Sequence, residues 1–241
     1  MAVDGLTLFG VQALKNTVAE LAQFGVNSRS SLALVGAKMK EQVAETFALA
    51  RDPVTGNPWK RTSDMTLRLR PGGGGGGKTL QDTGRLLQAI VAARPVVTDD
   101  SVSVGPGAKI VYAAIHNFGG VITPKNAKML SLPLTREAKR FTGARAWWQA
   151  NLSKSPFIYD PSKGAKAYAK RLYIATSTGK GEAARVKVHW MLVPRIAMPQ
   201  RRFLGWGEAQ IAGCLDVLAG LLDRTMEKLN GGTMGVANGG S

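Results

Sequence analysis

The chain is poor in the residues that most chemistry needs. Its 241 residues include one cysteine and two histidines. A lone Cys214 excludes an intrachain disulfide and a cysteine-rich metal site. Set in an apolar helical pattern, it reads as a small buried hydrophobe. His116 and His189 are too few for a multi-histidine metal centre, and neither metal nor cofactor is expected. A lone histidine ending a strand, as His116 is read, more simply packs or hydrogen-bonds than acts as a base. Acidic residues number 16 against 32 basic ones. With no paired carboxylates, a two-metal nuclease is disfavoured. No G-x-S-x-G elbow is present, and Cys214 lacks the surroundings of a nucleophile. No apolar run approaches the roughly 18 residues of a membrane span, so no membrane partner is expected. The start, MAVDGLTLFG, lacks a basic region followed by an apolar core. No signal peptide is read there, and a cytoplasm is the simplest place of assembly. Glycine is plentiful at 29 residues, yet without a triplet period, which excludes collagen-like packing.

What the chain has is positive charge in one place. The formal net charge is +16. Residues 122–202 hold 17 basic and 3 acidic residues, whereas 203–241 hold 2 basic and 4 acidic. Such a field attracts a polyanion or an acidic protein face, although a plain solvated surface would carry it too. Aromatic residues lie among the cations: Trp147, Trp148, Tyr159, Tyr168 and Tyr173. Aromatic and cationic side chains together stack bases and hold phosphates. They also anchor protein interfaces. The interface is the preferred reading, with DNA proximity second. The candidate contact residues are Lys139, Arg140, Arg145, Trp147, Trp148, Lys163, Lys166, Lys170, Arg171, Arg185 and Lys187.

Periodicity gives the elements. Val11, Leu14, Val18, Leu21 and Phe24 recur at helical spacing over 10–25. Asn27 or Ser28 caps a second helix that carries Leu32, Val35, Met39, Val43 and Phe47. RDPVTGNPW over 51–59 is a loop. Residues 80–91 lead into a short helix. Residues 96–104 and 109–116 read as an antiparallel pair across Gly105-Pro106-Gly107, the second member being a strand or a strand running into a short helix. Leu130, Leu132 and Leu134 alternate as a strand, 136–150 reads as one helix, and 156–160, 165–174 and 186–193 are further strands or hairpins. Residues 207–229 form an amphipathic helix. The expected class is α+β: N-terminal helices and a C-terminal helix packed on a mainly antiparallel sheet, with a long basic insertion. One domain spans 1–230, the basic lobe is inserted at about 121–197, and 231–241 is a flexible tail.

A formal phosphate-loop pattern, GGGGGGKT, runs from Gly72 to Thr79. Met65–Arg70 before it reads as a strand, and Thr79–Val91 after it as a helix. A true loop of this kind would place Lys78 on the β and γ phosphates and Thr79 on magnesium. A glycine run fills the wildcards of the pattern by default, and no βαβ alternation supports a parallel sheet. An ATPase using Lys78 and Thr79 is therefore the weaker, enzymatic alternative to a non-enzymatic reading.

Four local patterns in order resemble the phage virion morphogenesis family, which includes tail completion proteins of contractile-tailed phages. Gly56-Asn57-Pro58-Trp59 resembles its GxPW. Residues 80–90, LQDTGRLLQAI, resemble its LxDTGRLxxSI; residues 112–120, YAAIHNFGG, its YAxIHxFGG; residues 198–205, MPQRRFLG, its xPARxFLG, with Gln200 where alanine is common. The link between the last two is about eighty residues and strongly basic, longer than the family leads one to expect. The resemblance implies structural roles for Trp59, Asp82, Thr83, Gly84, Arg85, Tyr112, His116, Phe118, Gly119, Gly120, Pro199, Arg202, Phe203, Leu204 and Gly205. Gly84 is read as relieving crowding at a turn, and Gly119-Gly120 as turning the chain after a strand. Arg85 is read as pairing with a carboxylate or capping carbonyls, and Pro199 and Phe203 as setting and anchoring an extended segment. The resemblance further implies a neck or tail-end part of the virion, assembled in the host cytoplasm. It would act in tail completion, tail termination or head-to-tail joining as a homo-oligomeric ring, six copies by analogy. Its partners would be adjacent neck, tail-tube or sheath proteins, with genomic DNA nearby. A nucleic-acid-binding module built on residues 122–202 is the other non-enzymatic alternative.

Overall fold

The structure is a computed structural model that describes residues 6–7, 12–70, 77–108, 110–160, 172–178 and 185–233. The chain divides into two compact units, one of residues 1–61, 78–119 and 199–241, the other of 62–77 and 120–198.

The first unit is built around helix α2 (Ser28–Leu49). Asn27 caps it, its Oδ1 accepting from the Arg29 N–H at 2.9 Å, which satisfies one of the free donors of a helix start. Leu32, Val35, Met39, Val43 and Phe47 fall on one face at spacings of three and four and are all buried. Against that face pack α1 (Gln12–Gln23), α4 (Arg85–Val91), the C-terminal α8 (Glu208–Thr233), and strands β2 (Val96–Val97) and β3 (Val102–Val104). Gly36 lets α2 approach the hairpin. A Cβ there would sit 2.7 Å from Pro95 Cβ and 2.9 Å from Val102 Cγ2. Strand β1 (Leu6–Thr7) pairs antiparallel with β3, giving the order β1-β3-β2. The fold is α+β, with N- and C-terminal helices packed on an antiparallel sheet.

In the second unit, β5 (Leu130–Pro133), β6 (Phe157–Tyr159), β7 (Leu172–Thr178) and β8 (Arg185–Val193) form an antiparallel sheet of order β5-β8-β7-β6. Helices α6 (Arg136–Lys139) and α7 (Ala144–Ala150) supply Ala138, Ala144 and Trp147 to a core shared with Ile174 and Trp190. Strands β4 (Gly120–Ile122) and β9 (Ile196–Met198) pair separately.

Four expectations change. Met65–Arg70 is not a strand: α3 occupies Asp64–Arg68, because Ser63 Oγ accepts from the Thr66 N–H and Asp64 favours the first turn. Residues 96–104 are not one strand paired with 109–116. They form their own hairpin, turned where Thr98 and Ser101 bond each other through backbone and side chain. Residues 113–118 form helix α5 (Ala113–Phe118). The single helix over 136–150 is two, α6 and α7, because Gly143 adopts an extended conformation between them. Helix α8 runs on to Thr233, so the first residues of the expected tail are helical; 234–241 lie outside the described residues.

Candidate functional site

The four recognisable segments lie in the first unit, save Gly120 and Met198, which belong to the second, and they converge on Phe47 and Asn117. Phe47 is fully buried near the end of α2. The Trp59 ring meets it edge-on at 5.4 Å, and Phe203 lies tilted against it at 5.5 Å. Its carbonyl accepts from Gln81 Nε2 at 2.8 Å. Trp59 Nε1 in turn donates to the Arg202 carbonyl at 2.9 Å. One residue therefore ties three segments to α2, the GNPW turn and the 198–205 segment through its ring and the 80–90 segment through its carbonyl.

Asn117 pins the third segment. It is buried in the last turn of α5, and its Oδ1 accepts from the backbone N–H of both Phe203 (3.0 Å) and Leu204 (2.9 Å). One residue earlier, the His116 carbonyl accepts from the Arg201 N–H at 2.8 Å. Arg201 is buried and donates from Nε to the Lys60 carbonyl at 2.8 Å and from Nη2 to the Arg61 carbonyl at 3.4 Å. Burial pulls its pKa down from the ordinary arginine value. The same environment lowers His116, by burial first and then by the charge of Arg201, and the Tyr112 ring stands edge-on to it at 5.9 Å. Arg202 reaches Asp52 Oδ1 at 3.7 Å, and that oxygen also accepts from the Val54 and Thr55 N–H groups. Each hydrogen bond made here by the Asn117, Trp59 and Arg201 side chains ends on main chain. A set of bonds of that kind fixes a loop's path.

The glycines have particular reasons. Gly84 caps α4 with φ 71°, and nothing lies within 4 Å of a Cβ built there. It serves conformation and not the relief of crowding. Gly119 (φ 70°) and Gly120 (φ 136°) turn the chain after a helix, α5, and not after a strand. Gly205 is the crowded position: a Cβ would meet Arg202 Cδ at 2.7 Å and Val54 Cγ2 at 2.8 Å. Asp82, Thr83 and Arg85 are exposed, and the segment enters the core through Leu86 and Ile90. Pro199 is half-buried, Leu204 is buried, and Phe118 is 64% exposed.

Among the described residues, the elements flanking the glycine run do not have phosphate-loop geometry. The segment before the glycines is helix α3, the strand pairs among the described residues are all antiparallel, and the following helix starts at Arg85, six residues beyond Thr79. Lys78 and Thr79 thus do not sit at a helix N-terminus, where such a loop collects its amide groups. Gly72–Gly76, and the reading of the run as a flexible loop, lie outside the described residues. Among the described residues, no group of three or more His, Cys, Asp or Glu is placed to hold a metal ion. No described helix is long and apolar enough to cross a membrane. Cys214 is buried, its thiol pushed up to about 11 by desolvation.

The basic candidates separate into layers. Lys139, Arg140, Arg145, Arg185 and Lys187 are exposed. Lys139 Nζ donates to the Leu69 carbonyl at 3.2 Å and Arg136 Nε to the Arg68 carbonyl at 3.3 Å, at the negative end of α3. Lys163, Lys166, Lys170 and Arg171 lie outside the described residues. Trp147 corrects the interface reading. It is fully buried and stacks on His189 with ring centres 4.5 Å apart, so it belongs to the core. Trp148 is half-buried and walls a 440 Å³ hollow with Arg145, Ile158 and Ile174. His189 is aimed inward by a bulge: Ile174 pairs with Trp190 and Ala175 with Val188, leaving His189 as the extra residue. Its Nε2 shares a hydrogen bond of 3.0 Å with Thr176 Oγ1. Burial first, then nearby Lys187, lowers its pKa.

Asn117, Arg201 and Phe47 escaped the sequence reading of the site. The first two stand beside recognised residues, but nothing in their spacing marks a polar side chain as buried. Phe47 was read only as one apolar helix position.

The description of the phage virion morphogenesis family matches residues 10–151. Among curated proteins and among solved structures, none matches.

Proposed function

Because the chain belongs to the phage virion morphogenesis family, whose part in building the tail is structural and not catalytic, we propose that it is a tail-completion protein of the neck or tail end. It acts there as one copy of a closed ring that ends the tail or joins it to the head, in a virion assembled in the host cytoplasm. The observation that carries this reading is the convergence of four family-like segments on Phe47 and Asn117, through hydrogen bonds that end on backbone. Such a unit is built to hold a shape. A part that surrounds a channel is most simply repeated about an axis, and six copies is the number suggested by likeness to tail-end proteins. Neighbouring neck, tail-tube or sheath proteins would flank it.

In this reading the basic lobe is a long insertion. Residues 120–198 fall in the second unit, which has its own sheet and core, and the 112–120 and 198–205 segments stand at its two ends. It faces genomic DNA or an acidic neighbour. The test is the mass of the purified protein by light scattering, with micrographs of virions carrying a labelled copy. Multiples of the chain mass and label at the head–tail junction or at an end of the tail are expected; a strictly monomeric protein in virions or label on the capsid shell would overturn it.

The exposure of Arg140, Arg145, Arg185 and Lys187 supports a second reading, direct nucleic-acid binding by this lobe. Its affinity for duplex DNA would then fall steeply with salt, about one unit of logarithmic slope per phosphate neutralised.

A further inference from the structure

We propose that a second copy of this chain fills the acid-lipped cleft at the end of α2, and that what it inserts is the basic, apolar ridge of its α7. The proposal rests on the ring reading and names its contact surfaces.

The cleft lies in the first unit and measures 790 Å³, within the range of roughly 300–1,000 Å³ typical of concave binding sites. Leu49 and Val54 line it and stand 59% and 43% exposed, an unusual state for apolar side chains in a hollow. Glu45 and Glu208 supply the acid, Asp52 being already held by Arg202 at 3.7 Å; Arg51 is the one basic residue in its lining. The last turn of α2 carries no basic residue, so the negative end of that helix also favours an incoming cation.

The ridge lies in the second unit. Trp147 points inward from α7, which turns Arg145 and Gln149 outward, one helical turn apart. Leu152, in the turn that follows, is 62% exposed. Half-buried Trp148 and exposed Ile158 wall the 440 Å³ hollow beside them together with Arg145 and Gln149, so the ridge is the exposed rim of that hollow. The ridge therefore offers an apolar centre with a guanidinium at its edge, inside a segment holding 17 basic and 3 acidic residues. Arg and Trp in such a setting are the usual anchors of interfaces.

Charge complementarity selects the occupant. The acid lip would repel DNA. Ridge and cleft sit on the same chain, so each copy presents both halves of a head-to-tail contact, the kind that closes into rings.

The experiment uses two full-length variants, the ridge variant Arg145→Glu with Leu152→Asp, and the cleft variant Glu45→Lys with Val54→Asp. All four positions are exposed, and melting temperatures near that of the unchanged protein check that each folds. Sedimentation should show self-association weakened at least tenfold in each variant alone. Mixed in equal amounts, one intact ridge meets one intact cleft, so assembly should recover as far as a pair and stop. If the unchanged protein assembles while the variants do so equally well, or the mixture forms no pairs, the proposal fails and the ring reading stands. If the unchanged protein is monomeric at every concentration and in virions, the ring reading itself fails. Ridge variants that assemble normally but no longer bind a short DNA duplex would assign the ridge to nucleic acid and overturn the proposal.

Discussion

Replacing Asn117 with alanine leaves two buried backbone N–H groups, those of Phe203 and Leu204, without an acceptor. An unmet buried donor costs about 1–3 kcal/mol, so with two of them the variant should lose about 2–6 kcal/mol, read as a fall in the denaturation midpoint. A change below about 0.5 kcal/mol would mean that water replaces the side chain. Cys214 should resist alkylation in the folded protein, because its thiol is buried and pushed up to about 11; it should label readily once denaturant is added. His116 and His189 set the response to acid. Both have folded pKa values below the ordinary histidine value of 6.5. As pH falls through 6.5 the unfolded chain takes up protons that the folded chain refuses, so stability drops. The drop ends once the folded values are passed, and above neutrality neither histidine contributes a slope. Melting temperatures between pH 7.5 and 5 should show this, and His189→Gln should flatten part of it. At this scale the sequence displays identity but not burial. Trp147 and Trp148 are neighbours of one type, yet one is core and the other borders a hollow.

Elements were legible in proportion to their length. The 22 residues of α2 repeat the apolar pattern often enough to outweigh local noise, and Asn27 marks the start. The 26-residue α8 was clear for the same reason. Short elements were not, because three to five residues fit either period. Thus α3 reads as a strand, and over 109–116 a strand and a strand running into a short helix read equally well where α5 stands. Residues 96–104 hid a turn, since a hairpin with a two- and a three-residue strand leaves almost no alternation to read. Packing adds constraints of its own. Gly36→Ala would raise helix propensity by roughly 1 kcal/mol in isolation. Here the new methyl would sit 2.7 Å from Pro95 Cβ, and overpacking costs about 1–3 kcal/mol. The variant is therefore expected to be no more stable, or less stable, than the original by urea unfolding. A clear gain in stability would show that α2 and the hairpin separate easily.

For the whole molecule, the pattern GGGGGGKT and the fold around it part company. Lys78 precedes α4 by several residues and follows a helix, so Lys78→Ala should leave the assembled mass and virion yield unchanged. Loss of assembly in that variant, or nucleotide turnover by the purified chain, would restore the enzymatic alternative. The uneven charge was visible in the composition, but its arrangement was not. Lys139 and Arg136 are engaged with carbonyls at the end of α3, while Arg145, Arg185 and Lys187 stand exposed.

The sequence by itself determined the class of the fold, the two long helices and the order of four family-like segments, because these rest on local periodicity and on residues adjacent in the chain. Only the tertiary structure decided that those segments meet at Phe47 and Asn117, that Trp147 is core, and that an acid-lipped cleft and a basic ridge exist. The reason is that burial and proximity join residues far apart in the chain, 34 positions for Phe47 and Gln81 and 86 for Asn117 and Phe203. No period in the sequence encodes such a distance.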